Sequence, residues 1–250
     1  MSETPSDPVG LARANMRNRE IRRFYKQASV GEAEGGFALL LDGRGARTPA
    51  KNRLVVPSRA IAERIAAEWA GQGEIVSLAS MPITRLANSA IDGVARTLAE
   101  THAEIARYAG SDLTCYRALE PEALVDDQAR AFDPVLAWAE EALDARFILS
   151  AGLTHVAQPE AALAAVRRAV GAYQSPFAVA ALHVMTSLTV SVLLALAVAR
   201  GALTAEAAWR AAHVDEDFQI RKWGEDEEAI TRRAARAQEF YAAAMVIAAL

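Results

Sequence analysis

Residues 177–199 read FAVAALHVMTSLTVSVLLALAVA, 23 positions without a formal charge. Their reading decides the fold. At about 1.5 Å per residue one helix of this length would exceed the roughly 30 Å hydrocarbon core of a bilayer. Several features argue against a span. His183, Thr186, Ser187, Thr189 and Ser191 lie inside the run, and much of its apolarity is alanine. Neither end carries a tryptophan/tyrosine belt. A helix apolar on every side also suits the middle of a large helical domain. The expectation is a buried central helix over 176–200, with no membrane insertion.

The flanking sequence is helical in pattern on both sides. Pro82 to Tyr108 carries Leu86, Ile91, Val94, Leu98 and Ile105 at helical spacings. Asp133-Pro134 reads as a helix start, because proline fits the first turn and Asp133 could cap it; Val135, Leu136, Trp138 and Leu143 would form the apolar face. Pro159–Tyr173 and Thr204–Trp223 follow, and 225–250 closes the chain as an amphipathic helix. Residues 35–58 differ. In GGFALLLDGRGARTPAKNRLVVPS the runs FALLL and RLVV read as strands, with DGRG as a turn between them. Pro57-Ser58 opens a helix with Ala60, Ile61, Ile65 and Trp69 on one face, stopped at Gly71, and EIVSL (74–78) reads as a further strand. The predicted class is α+β: a flexible tail (1–20), a small β-rich amino-terminal domain (21–80) and a larger all-helical carboxy-terminal domain (81–250).

Composition narrows the function. The chain has 250 residues, 52% apolar and 23% charged, ordinary values for a globular protein with a sizeable core. A net charge of −4 gives no general attraction to nucleic acid or anionic lipid. The one basic cluster, Arg13, Arg17, Arg19, Arg22, Arg23 and Lys26, reads as a solvated tail. A single cysteine, Cys115, excludes an intrachain disulfide and a cysteine-based zinc site, which fits a reducing, cytoplasmic setting. The first 35 residues hold no apolar run for a secretory signal, and Glu3 and Asp7 are unusual in a matrix presequence.

Catalytic constellations do not stand out. The four histidines, His102, His155, His183 and His213, show no i, i+4 pairing and no HExxH, so no metal is expected. There is no GxGxxG, no GxxxxGK[ST] and no GxSxG, so no nucleotide cofactor or small-molecule substrate is expected. Cys115, in SDLTCYRA, would need a positioned base such as His102 or His213 to act as a nucleophile.

The stretch VDEDFQIRKWGEDEE (214–228) is the exception to a bland surface. It places seven carboxylates around one phenylalanine and one tryptophan. On a continuous helix Glu216, Gln219, Ile220, Trp223 and Glu227 fall within about 100° of one another, with Phe218 turned toward a core. A solvated acidic face would look like this; so would an interface, since tryptophan is a common anchor and rim carboxylates steer basic partners.

Five segments then carry a family resemblance: MPITRLANSAIDGV (81–94), SDLTCYR (111–117), FDPVLAW (132–138), DEDFQIRKWGEDEE (215–228), and LDGRGARTPAKNRLVVPS (41–58) with the EWAGQ helix after it. Collinear over roughly residues 21–230, they resemble the assembly chaperones of F-type ATP synthase that are specific for the α subunit of the catalytic head. The resemblance implies a β-rich part followed by a helical part. It also implies a non-enzymatic chaperone that binds the unassembled α subunit, shields its interface and yields it to β without ATP hydrolysis. It assigns partner contact to Glu216, Gln219, Trp223 and Glu227. Asn88 and Asp92 read as local hydrogen-bonding residues, and Arg117 as one half of a structural ion pair. Two other readings share the composition: a helical adaptor with another protein client, and an enzyme built on Cys115 and a histidine.

Overall fold

The computed structural model describes residues 21–152 and 154–250. The expected tail, with Arg13, Arg17 and Arg19 of the basic cluster, lies outside the described residues.

Strand β1 (Ile21–Arg22) leads into a hairpin of β2 (Ala28–Ala33) and β3 (Gly36–Leu41), in register from Ala28 opposite Leu41 to Ala33 opposite Gly36. Asp42 and Gly43 both take positive φ, 49° and 77°, and reverse the chain into β4 (Arg44–Gly45). β5 (Val55–Val56) joins β3 on the same side as β4. Glycine is required at Gly36, where a Cβ would stand 2.2 Å from the Val56 carbonyl oxygen. Thus DGRG turns β3 into β4 and not directly into RLVV. The first hairpin partner, ASVGEA, escapes pattern reading because Gly31 and Glu32 weaken its strand signal. Helix α1 (Arg59–Ala70) lays Ile61, Ala62, Ile65 and Ala66 on the sheet over Leu39 and Leu41. β6 (Ile75–Val76), shorter than the expected 74–78 strand, returns to pair with β1.

The rest is helical: α2 (Pro82–Asp92) and α3 (Leu98–Arg107), then α4 (Glu122–Leu143) between two-residue strands β7 (Tyr116–Arg117) and β8 (Ser150–Ala151). α5 (Glu160–Gly171), α6 (Pro176–Thr189), α7 (Val192–Ala199), α8 (Ala205–Ala212), α9 (Val214–Trp223) and α10 (Glu227–Ala248) complete it. The fold class is α+β, a small β-rich amino-terminal part followed by a mostly helical one, as the sequence led us to expect.

Four boundaries differ from expectation. The decisive run 177–199 is two helices, not one. Val190 adopts φ 52°, and Ser191 caps α7 by accepting from the Leu194 amide at 3.0 Å. The buried carboxylate of Asp112 holds this break: it accepts from Ser191 Oγ at 2.7 Å and from the Leu193 amide at 3.1 Å. A distant residue therefore overrides local propensity. Among the described residues no helix is long and apolar enough to cross a membrane.

Asp133-Pro134 does not start a helix. α4 begins eleven residues earlier and runs through Pro134, whose missing donor faces the exposed side while Leu124, Phe132, Val135 and Ala139 bury the other. The expected 204–223 helix breaks at His213, which is buried with its ring centroid 3.9 Å from that of Trp209. Pro82 to Tyr108 is likewise divided, by a tight turn at Val94–Arg96.

One apolar cluster runs from Leu39 and Ile61 through Leu193 to Phe240, with α10 laid along α6. Polar ties span the same junction. Glu68 of α1 accepts from the Ile83 and Thr84 amides at 2.7 and 2.8 Å, occupying orphan donors at the start of α2. Asp92, expected to bond locally, instead reaches back to the 48–52 turn. It accepts from Thr48 Oγ1 at 2.6 Å, Asn52 Nδ2 at 2.8 Å and the Ala50 amide at 3.0 Å. Asn88 Oδ1 is enclosed and has no hydrogen-bond partner among the described residues.

Candidate partner-binding groove

The acidic stretch folds as one short helix, a glycine break and the start of another. His213 closes α8 by pairing Nδ1 with the Trp209 carbonyl at 2.8 Å, and the chain restarts as α9. Gly224 (φ 91°) ends α9 in a conformation other residues seldom adopt. Asp226 then caps α10, its carboxylate accepting from the Glu228 and Ala229 amides at 2.8 and 3.3 Å.

Between α9 and α10 lies a groove of about 980 Å³. Trp209, Ile220, Trp223, Ile230 and Ala237 supply its apolar lining; Glu216, Gln219 and Arg233 stand among its polar residues. Arg233 ties the two helices together, donating to Asp217 at 2.6 Å and lying 3.9 Å from Glu216. α9 is also fastened to α4: Gln128 Nε2 donates to Asp215 at 2.7 Å, and Arg221 pairs with Asp127. No residue of α9 is buried. The helix is thus held by polar contacts at its edges, which leaves its apolar side chains available at the groove.

The structure brings together three of the four expected contact residues. Glu216, Gln219 and Trp223 line the groove, and Trp223 is 74% exposed. Glu227 does not join them. The stripe assumed a continuous helix, and Gly224 ends that helix, so Glu227 sits exposed in the first turn of α10. Phe218 also departs from expectation: it is half-buried, outside the core, with the Arg221 guanidinium 5.6 Å from its ring centre. Ile230, Arg233 and Ala237 were missed. The apolar spacing of Ile230, Ala234 and Ala237 would have marked a helix face, but only tertiary structure sets it opposite α9.

The alternative chemical site does not assemble as required. Burial, aided by the charge of Asp112, pushes the Cys115 thiol up to about 12, far from a nucleophile's range. His102 spends Nε2 on the Tyr173 carbonyl at 2.8 Å. Arg117 has the structural pairing expected of it, 2.6 Å from Asp133, with its guanidinium 5.0 Å from the centre of the Phe132 ring. Among the described residues no cluster of three His, Cys, Asp or Glu side chains could hold a metal.

Comparison with known proteins gives a consistent picture. The family described as "ATP12 chaperone protein" matches residues 22–140. A crystal structure of the Atu1473 protein of Agrobacterium tumefaciens, described as a candidate chaperone, superposes with a TM-score of 0.88 at 48% identity, over 98% of this chain and 92% of the other. Atp12 from Paracoccus denitrificans superposes with a TM-score of 0.83 at 39% identity, over 90% of this chain and 97% of the other.

Proposed function

The chain belongs to the ATP12 chaperone family, and on that premise we propose that it binds the unassembled α subunit of F-type ATP synthase through the groove between α9 and α10. Chaperones of this family serve ATP synthase assembly. The finer reading is that this chain shields an apolar interface of α, works in the cytoplasm, and gives α up to the β subunit by competition, without ATP hydrolysis. An α subunit awaiting its neighbour presents surface that aggregates when left bare, and a cover that yields to the true partner needs no chemistry of its own.

The observation that carries this reading is Trp223: a large aromatic, three-quarters exposed, at a groove bordered by Glu216 and held open by polar ties. An indole left in water on a preformed surface is an anchor awaiting a pocket. Carboxylates at the same rim favour a basic counterpart and deter acidic ones.

The test is co-expression with the α or the β subunit of the same organism, scored by co-purification and soluble yield. Selective capture of α supports the proposal; equal capture of both, or of neither, overturns it. Trp223→Ala should cost about 2 kcal/mol of binding, roughly 30-fold, with unchanged far-ultraviolet circular dichroism. Glu216→Lys should weaken capture likewise, whereas Glu227→Lys, off the groove, reports whether the rim extends into α10.

A further inference from the structure

In the β-rich part of the molecule a second recess, of about 580 Å³, has a different character. Its walls are Phe24, Tyr25, Leu41 and Trp69, with Arg44 and Arg47 beside them. Phe24 is 68% exposed and meets Tyr25 edge-on at 5.4 Å between ring centres. Tyr25 is fixed: its hydroxyl donates to the Trp69 carbonyl at 2.7 Å, and its ring lies 5.5 Å from the indole. The aromatic wall is therefore preformed, so an incoming ligand need not order it.

Two features point to a ligand. First, the charge is unspent. Arg47 donates only to the Lys51 carbonyl, and neither Arg44 nor Arg47 is ion-paired among the described residues. Asp42, the sole carboxylate of the recess among the described residues, is committed to the Lys26 and Gln27 amides, which with the nearby cations hold it below its usual range. Residues 21–58 hold seven basic and three acidic side chains, so the surroundings reinforce the positive sign. Second, Phe24 presents a large ring to solvent beside the fixed Tyr25–Trp69 pair. Exposed aromatic surface beside unpaired guanidiniums suits a ligand that is both apolar and anionic.

We propose that this recess is a docking site for an acidic segment of a protein partner that also carries an apolar side chain. The apolar group packs among Phe24, Tyr25 and Trp69, while the carboxylates meet Arg44 and Arg47, whose guanidiniums suit two-pronged contact. The site is opposite in sign to the α9–α10 groove and independent of what occupies that groove.

The test uses the full chain, labelled with nitrogen-15, and two synthetic probes: acetyl-Asp-Glu-Phe-Leu-Asp-Glu-amide and the same peptide with lysine at every acidic position. The acidic probe is expected to move the Trp69 indole signal saturably, the signal being assigned with Trp69→Phe. The lysine probe is expected to leave it in place. Arg44→Glu with Arg47→Glu should weaken binding at least tenfold, and both side chains are exposed, so the fold survives. Phe24→Ala should weaken it severalfold. Equal response to both probes, a response at Trp223 alone, or indifference to the arginine reversals would overturn the proposal. So would binding that appears only after removal of residues 1–20, since the site would then belong to the chain's own amino-terminal segment.

Discussion

Asp112 and Ser191, 79 residues apart in the chain, meet where both are fully buried, Ser191 Oγ donating to the carboxylate at 2.7 Å. Thr114 gives the same carboxylate oxygen its amide at 3.0 Å and its hydroxyl at 2.8 Å, while Leu193 donates to the other. One carboxylate therefore fixes the reversal at Val190 and satisfies an orphan amide in the first turn of α7. Asp112→Ala would strand these donors in the core. It is expected to cost about 3–5 kcal/mol, read from the midpoint of urea unfolding.

His213 makes acid destabilising. Burial lowers its folded pKa below the ordinary 6.5, against the opposing pull of the Trp209 carbonyl and Glu216. The unfolded chain then binds the proton more readily, so stability is present above pH 6.5 and declines as pH falls below it. Unfolding midpoints compared at pH 7.5 and 5.5 should show the loss. His213→Gln should shrink it, since glutamine does not titrate.

The tie at Asp92 has its own pH window. Desolvation pushes its pKa up, but the bonds from Thr48, Asn52 and the Ala50 amide prevail and leave it below 3.8. Its contribution is complete above that value and disappears as pH falls through the lower folded pKa. The acid limb of a stability profile between about pH 4 and pH 2 should flatten in Asp92→Asn.

Cys115 should resist alkylation. With its thiol pushed up to about 12 and its side chain enclosed, almost no thiolate exists at pH 8. Intact-mass measurement with iodoacetamide should show negligible labelling of the folded chain and full labelling in guanidinium chloride. Rapid native labelling would contradict the described burial.

Local sequence announced the class of the fold well and its joints poorly. The apolar faces of α1 and α2 follow from spacing, and β3 with its Asp42-Gly43 turn follows from strand propensity and positive φ. The break at Val190 could not be read, because the residue that holds it lies 79 positions away. Pro134 misled for the opposite reason: its exposed side tolerates a missing hydrogen bond that a core position would not. At the candidate site, Glu216, Gln219 and Trp223 were legible as a helical stripe. The facing wall from α10 was not, since register between two helices is a tertiary fact. Gly224 alone removed Glu227 from the set.

The protein has four tryptophans, of which Trp209 is buried and Trp69 and Trp138 are half-buried, leaving Trp223 as the one that is mostly exposed. Its emission is consequently the red edge of the protein's natural fluorescence, and Lys222 Nζ, 5.1 Å from the ring centre, holds a charge beside it. Any molecule that covers the groove changes both the polarity and the quenching at that single indole. The chain thus carries an unlabelled optical gauge of its own occupancy, legible during assembly without touching a residue.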